Sequence, residues 1–124
     1  MLVYAPISVG ELIDKITILT IKMSKIIDPI KLENITKELK QLNEIANSLK
    51  APGELTVLYK QLLVVNQELW DIEDKKRKHE KILSFDNDFI QLARQVYIKN
   101  DHRAEIKKRI NLLVGSEIIE EKSY

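Results

Sequence analysis

From Glu54 to Leu83 the chain runs without a proline or glycine while its apolar residues recur at helical spacing, so any fold must accommodate one long helix. At about 1.5 Å per residue that helix reaches roughly 45 Å. A compact domain of 124 residues spans only about 35 Å. The chain is therefore expected to be elongated, self-associating, or both.

Breakers divide the remainder into further helices: Pro6, Asp28 with Pro29, Pro52 with Gly53, Asp86 to Asp88, and Gly115. Ser8 and Glu11 have the spacing of a capping box, opening a helix that runs to about Ile27. Asp28 caps a second helix with Pro29 at its first position, where a missing backbone donor costs nothing. That helix runs to about Lys50. A fourth begins near Asp88, and Asn100 with Asp101 offers a restart as a fifth before Gly115 stops the chain. Residues 2–5 alternate like a short extended segment but have no second strand to pair with. The expectation is one all-α domain over residues 1–124, an elongated bundle of four or five helices with long antiparallel hairpins and coiled-coil-like packing.

Charge excludes some partners. Against 19 acidic residues stand 20 basic ones, a formal net charge of +1, so no overall field draws the chain to nucleic acid or acidic membranes. The basic run Lys75, Lys76, Arg77, Lys78 is offset by Asp71, Glu73, Asp74 and Glu80, and no aromatic residue interleaves it to stack bases. It reads as a solvated helix end. Without cysteine there is no disulfide, thiolate nucleophile or zinc-thiolate site, which fits a reducing compartment. Met1 to Pro6 has no signal-like pattern and no later stretch is apolar enough to span a membrane, so the cytoplasm is the expected location.

On a helical wheel the first helix carries Leu12, Ile13, Ile16, Leu19, Met23, Ile26 and Ile27 on its main stripe, while Ile18 and Ile21 fall beside Asp14. Two covered faces mean that this helix is central or meets another subunit. With the long helices, that makes a homodimer the expected assembly. The third helix has a core stripe of Leu55, Leu58, Leu62, Val65, Leu69 and Ile72. Beside it runs a mixed stripe of Tyr59, Leu63, Asn66, Trp70, Glu73 and Arg77, which places Asn66 and Glu73 at the core margin, where each needs a specific partner. Either a hydrogen-bond network between helices or a ligand pocket meets that need.

Spacing disfavours the catalytic constellations that an all-helical chain most often carries. Lys76 and Lys99 stand three residues before His79 and His102, so neither histidine belongs to a di-iron Glu-x-x-His pair, and no transition-metal site is expected. Glu11 with Asp14 and Glu68 with Asp71 are the carboxylate pairs that a magnesium diphosphatase would use, but the second pair points to solvent. The opening Glu11 to Ile16 superficially resembles the first helix of helical chorismate mutases, yet this helix lacks the arginines that hold their dicarboxylate. No glycine-rich loop or nucleophile elbow is present, and no cofactor is expected.

In the last third, an unbroken helix would put Asn100, Arg103, Lys107 and Asn111 on the side of Phe89, Val96 and Val114, interrupting a core face with cations. A helix break at Asn100 resolves this simply. The alternative is an anion site with Arg94, Arg103 and Lys107 as donors.

The run Ile7 to Leu19, the run Val65 to Asp74, the residues Phe89, Leu92, Ala93, Arg94, Val96, Tyr97, Asn100, Asp101, Arg103 and Ala104, and the ending Gly115, Ser116 and Glu120 to Tyr124 together resemble an uncharacterised bacterial and phage domain family of unknown function. The resemblance covers nearly the whole chain and implies no activity beyond a loose link to surface-polysaccharide synthesis. Among its polar residues, Asp14, Lys15, Asn66, Glu73, Arg94, Tyr97, Asn100 and Arg103 are the candidate ligand-binding set, with the Tyr124 carboxylate and phenol expected to dock nearby. The leading expectation is a non-enzymatic protein-interaction or assembly module, and the alternative is an enzyme binding a small, nucleotide-like anion between helices.

Overall fold

A computed structural model describes residues 1–124. It contains four helices, α1 (Val9–Lys25), α2 (Pro29–Ser48), α3 (Glu54–Lys81) and α4 (Asn87–Val114), and no strand. The long helix is present and ends just short of its expected limit. No helix is long and apolar enough to cross a membrane.

The expected helix starts are visible as hydrogen bonds. Ser8 Oγ accepts the Glu11 amide at 3.1 Å, and Asp28 Oδ1 accepts those of Ile30 and Lys31. Only half of the capping box forms, because the Glu11 side chain turns to Lys107 instead of to the Ser8 amide. Asp86 caps α4 by accepting the Phe89 amide, a bond that holds its carboxyl below the ordinary value. Gly115, at φ +67°, ends α4 in the left-handed conformation.

α3 and α4 form an antiparallel hairpin, α1 lies in its groove, and α2 covers part of the outer side of α1 without approaching the hairpin backbone. The central position of α1 explains its two apolar faces: Leu12, Ile13, Ile16 and Leu19 are buried, and so is Ile21. Ile27 departs from expectation, 90% exposed because α1 ends at Lys25 and the chain turns away, and Met23, in the last turns of α1, is 39% exposed. Seven buried residues, three from α1 (Leu12, Ile13, Ile16), Leu62 and Val65 from α3, and Ile106 and Ile110 from α4, make the core.

The expected break at Asn100 does not occur. α4 is continuous from Asn87 to Val114, and its inward cations find acidic partners on α1.

At the hairpin tip α3 ends in a Schellman motif: the Ser84 amide donates to the His79 carbonyl at 2.9 Å and the Leu83 amide to that of Glu80 at 3.1 Å. Leu83 takes the left-handed position at φ +52°, where glycine is the usual residue, and is 71% exposed. Leu83→Gly relieves the Cβ clash and sacrifices little burial, so thermal unfolding should show a gain of about 1 kcal/mol. A lower melting temperature would show that the Leu83 side chain is worth more than its strain.

Candidate functional site

The polar residues that sequence reasoning drew from separate helices meet in part along the seam between α1 and α4. Asp14 is fully buried and accepts from Arg103 Nε at 2.9 Å, from a second Arg103 nitrogen, and from Asn66 Nδ2 at 2.9 Å. The fork of a guanidinium matches two carboxylate oxygens at once, so the pair fixes geometry as well as charge. These hydrogen bonds, ahead of any charge attraction, hold the Arg103 guanidinium above its ordinary pKa despite its partial burial.

One turn further along α4, Lys107 Nζ donates to Glu11 at 2.5 Å and lies 3.8 Å from Asp14 and 3.7 Å from Glu120. Asn111 continues the same face of α4 and accepts the Gly10 amide at 2.6 Å. No Cβ fits at Gly10, since one would stand 2.6 Å from the Lys107 carbonyl oxygen. The seam is thus a row in which Asn111, Lys107 and Arg103 each satisfy a group on α1.

Asn66 links this seam to α3. Its Nδ2 donates to Asp14 and to Thr17 Oγ1 at 2.8 Å, and Thr17 spends its own proton on the Asp14 carbonyl at 2.7 Å. These two acceptors fix the orientation of the carboxamide. Past Asn66, a pocket of about 390 Å³ lies between α1 and α3, lined by Ile18, Ile21, Leu69, Trp70, Glu73, Asp74 and Arg77, with Arg103 at its edge. Glu73 pairs with Lys76 at 3.5 Å and not with Arg77.

Of the candidate set, Asp14, Asn66 and Arg103 therefore converge, Asn100 touches Arg103 weakly at 3.4 Å, and Glu73 stands in the adjoining pocket. The other three lie elsewhere. Lys15 is exposed and borders a groove against α2, since adjacent helical residues point about 100° apart. Arg94 and Tyr97 are exposed on α4, and Arg94 is roughly 13 Å along the axis from Arg103. The carboxylate pairs do not assemble for a metal, because Glu11 and Asp14 face cations and Glu68 pairs with Lys99.

The chain end does fold back, though not through Tyr124, which is 87% exposed. Glu120 accepts from Ser8 at 3.0 Å, Glu121 from Lys108 at 3.2 Å, and Lys122 reaches Asp101 at 3.5 Å. Between this tail and α4 lies a second polar pocket of about 310 Å³. Gly10, Thr17 and Glu120 are the members of the site that sequence reasoning did not single out, while Asn111 figured there only as a polar interruption of a core face. Only the capping serine beside Gly10 hinted that α1 begins against another element.

A family model described as a family of unknown function, DUF6165, matches residues 3–124. No curated protein and no solved structure matches the chain.

Proposed function

We propose that this chain, which belongs to the DUF6165 family of unknown function, is a non-enzymatic protein-interaction module that associates with a second copy of itself. The carrying observation is surface. The chain exposes 8828 Å², whereas a compact monomer of 14.4 kDa exposes about 6,800 Å². The excess of about 2,000 Å² is as large as the whole area buried by a standard protein interface. Only 18 of 124 residues are buried, so the core leaves much apolar surface uncovered.

One contiguous part of that surface lies beside α2. Leu2, Val3, Tyr4 and Ile7 run along a groove of about 470 Å³ whose far wall includes Leu42 and Ile45 of α2 and Leu49, which caps its end. Val3 and Tyr4 are 82% and 87% exposed and Ile45 is 49% exposed. Soluble monomers rarely leave so much contiguous apolar side chain in water. An isologous pairing of two such faces would cover it. The catalytic alternative has less support, since Arg103 and Lys107 are already matched by Asp14, Glu11 and Glu120 and no buried side-chain polar atom lacks a partner.

Light scattering on the purified chain tests this. The expected mass is twice that of one chain, and Val3→Asp with Ile45→Lys should halve it while the helical circular dichroism is retained. A wild-type particle with the mass of one chain at micromolar concentration would overturn the proposal.

A further inference from the structure

The α1–α3 pocket contains one polar atom that the fold leaves without a partner. Asn66 is 6% exposed, and both of its hydrogen bonds run through Nδ2 to Asp14 and Thr17. That fixed orientation turns Oδ1 away from the seam. The oxygen receives no hydrogen bond from the protein, and since every fully enclosed side-chain polar atom has a partner, Oδ1 is open to the space of the pocket that Asn66 lines. A carboxamide oxygen held this way is a preformed acceptor, ready for an N–H or O–H donor.

The other groups around it select among donors. Trp70 forms an aromatic wall, and Glu73 and Asp74 present carboxylates one turn further along α3. Arg103 contributes no net charge because Asp14 neutralises it, and Arg77 offsets only one of the two carboxylates. Lys76 engages the other, Glu73, from outside the pocket, so the charges balance and the ligand is selected by where the carboxylates stand and not by net charge. The acceptor at Asn66, the aromatic ring and the two carboxylates suit a donor-rich cation, whereas an acceptor-only phosphate finds no donor at Asn66 Oδ1. The volume of about 390 Å³ is in the small-ligand range.

We propose that the pocket between α1 and α3 binds a small organic cation, an alkyl guanidinium or ammonium, which donates to Asn66 Oδ1 and to the carboxylates of Glu73 and Asp74 beside Trp70. Binding at this pocket does not depend on self-association, because α2 and the N-terminal groove contribute nothing to its lining.

Trp70 is the only tryptophan in the chain, so its fluorescence reports on this pocket directly. Titration of the full-length protein with agmatine, which carries a guanidinium and an ammonium, should give a saturable change. Glu73→Gln with Asp74→Asn should weaken it about ten-fold or more, through lost charge-assisted bonds. Both side chains are exposed, so this variant keeps its fold, as circular dichroism will verify. Lys108→Ala, beside the tail, should bind as the wild type does. Absence of a saturable response to agmatine overturns the proposal. So does an unchanged affinity in the double variant, or a response to inorganic phosphate that Arg77→Ala abolishes.

Discussion

Arg103→Met should destabilise the fold by about 3–5 kcal/mol, the usual cost of removing one partner of a buried ion pair. Asp14 is fully buried, and the substitution leaves its carboxylate without the guanidinium that donates to both oxygens. Lys107 stays 3.8 Å away and donates to Glu11, so it gives Asp14 charge attraction but no hydrogen bond in place of the two that are lost. Methionine preserves the apolar stem, so the loss measured by urea unfolding reports the charge and not a cavity.

The double variant Asp14→Leu with Arg103→Met decides what the pair is for. Removing both charges ends the burial penalty, and Asn66 keeps its bond to Thr17. Its stability should therefore lie above that of Arg103→Met alone. A double variant less stable than the single one would mean that leucine cannot replace Asp14 in this packing, and that the carboxylate is needed for geometry as well as for charge balance.

The same pair shows where the sequence was legible and where it was not. Ser8, Asp28 with Pro29, Asp86 and Gly115 mark helix ends by local chemistry, and each marker corresponds to a hydrogen bond or backbone angle in the fold. The apolar stripe from Leu62 to Ile72 likewise identifies the inward face of α3. Local rules fail at Asn100 and Asp101, which have the composition of a helix start yet lie within α4. The reason is 89 positions away: Asp14 receives Arg103, so a cation on the inner face needs no break to escape. Helical periodicity carries no information about such pairing. Arg94, Tyr97 and Lys15 were grouped with the site by residue type, but the helical turn places them elsewhere. For Asn66 the structure shows the hydrogen-bond network, through its amide nitrogen, and a ligand in the pocket that it also lines is a proposal.

Gly10→Ala provides the second large effect, and its sign is the informative part. Within a helix, alanine normally stabilises relative to glycine by about 0.5–1 kcal/mol. Here the new Cβ would lie 2.6 Å from the Lys107 carbonyl oxygen, 3.1 Å from the carbonyl carbon and 3.0 Å from Asn111 Oδ1. The nearest atoms are backbone, so no rotamer change relieves the clash and α1 must move off α4. That movement breaks the 2.6 Å bond from the Gly10 amide to Asn111 and pulls Glu11 and Asp14 away from Lys107 and Arg103. The expected loss is about 2–4 kcal/mol, combining overpacking with disruption of a polar network. Adding Asn111→Ala should not restore stability, because it removes the side-chain contact and leaves the backbone one. If Gly10→Ala instead raises the melting temperature, α1 and α4 do not approach this closely, and the ion pairs that join them cannot be assembled as described.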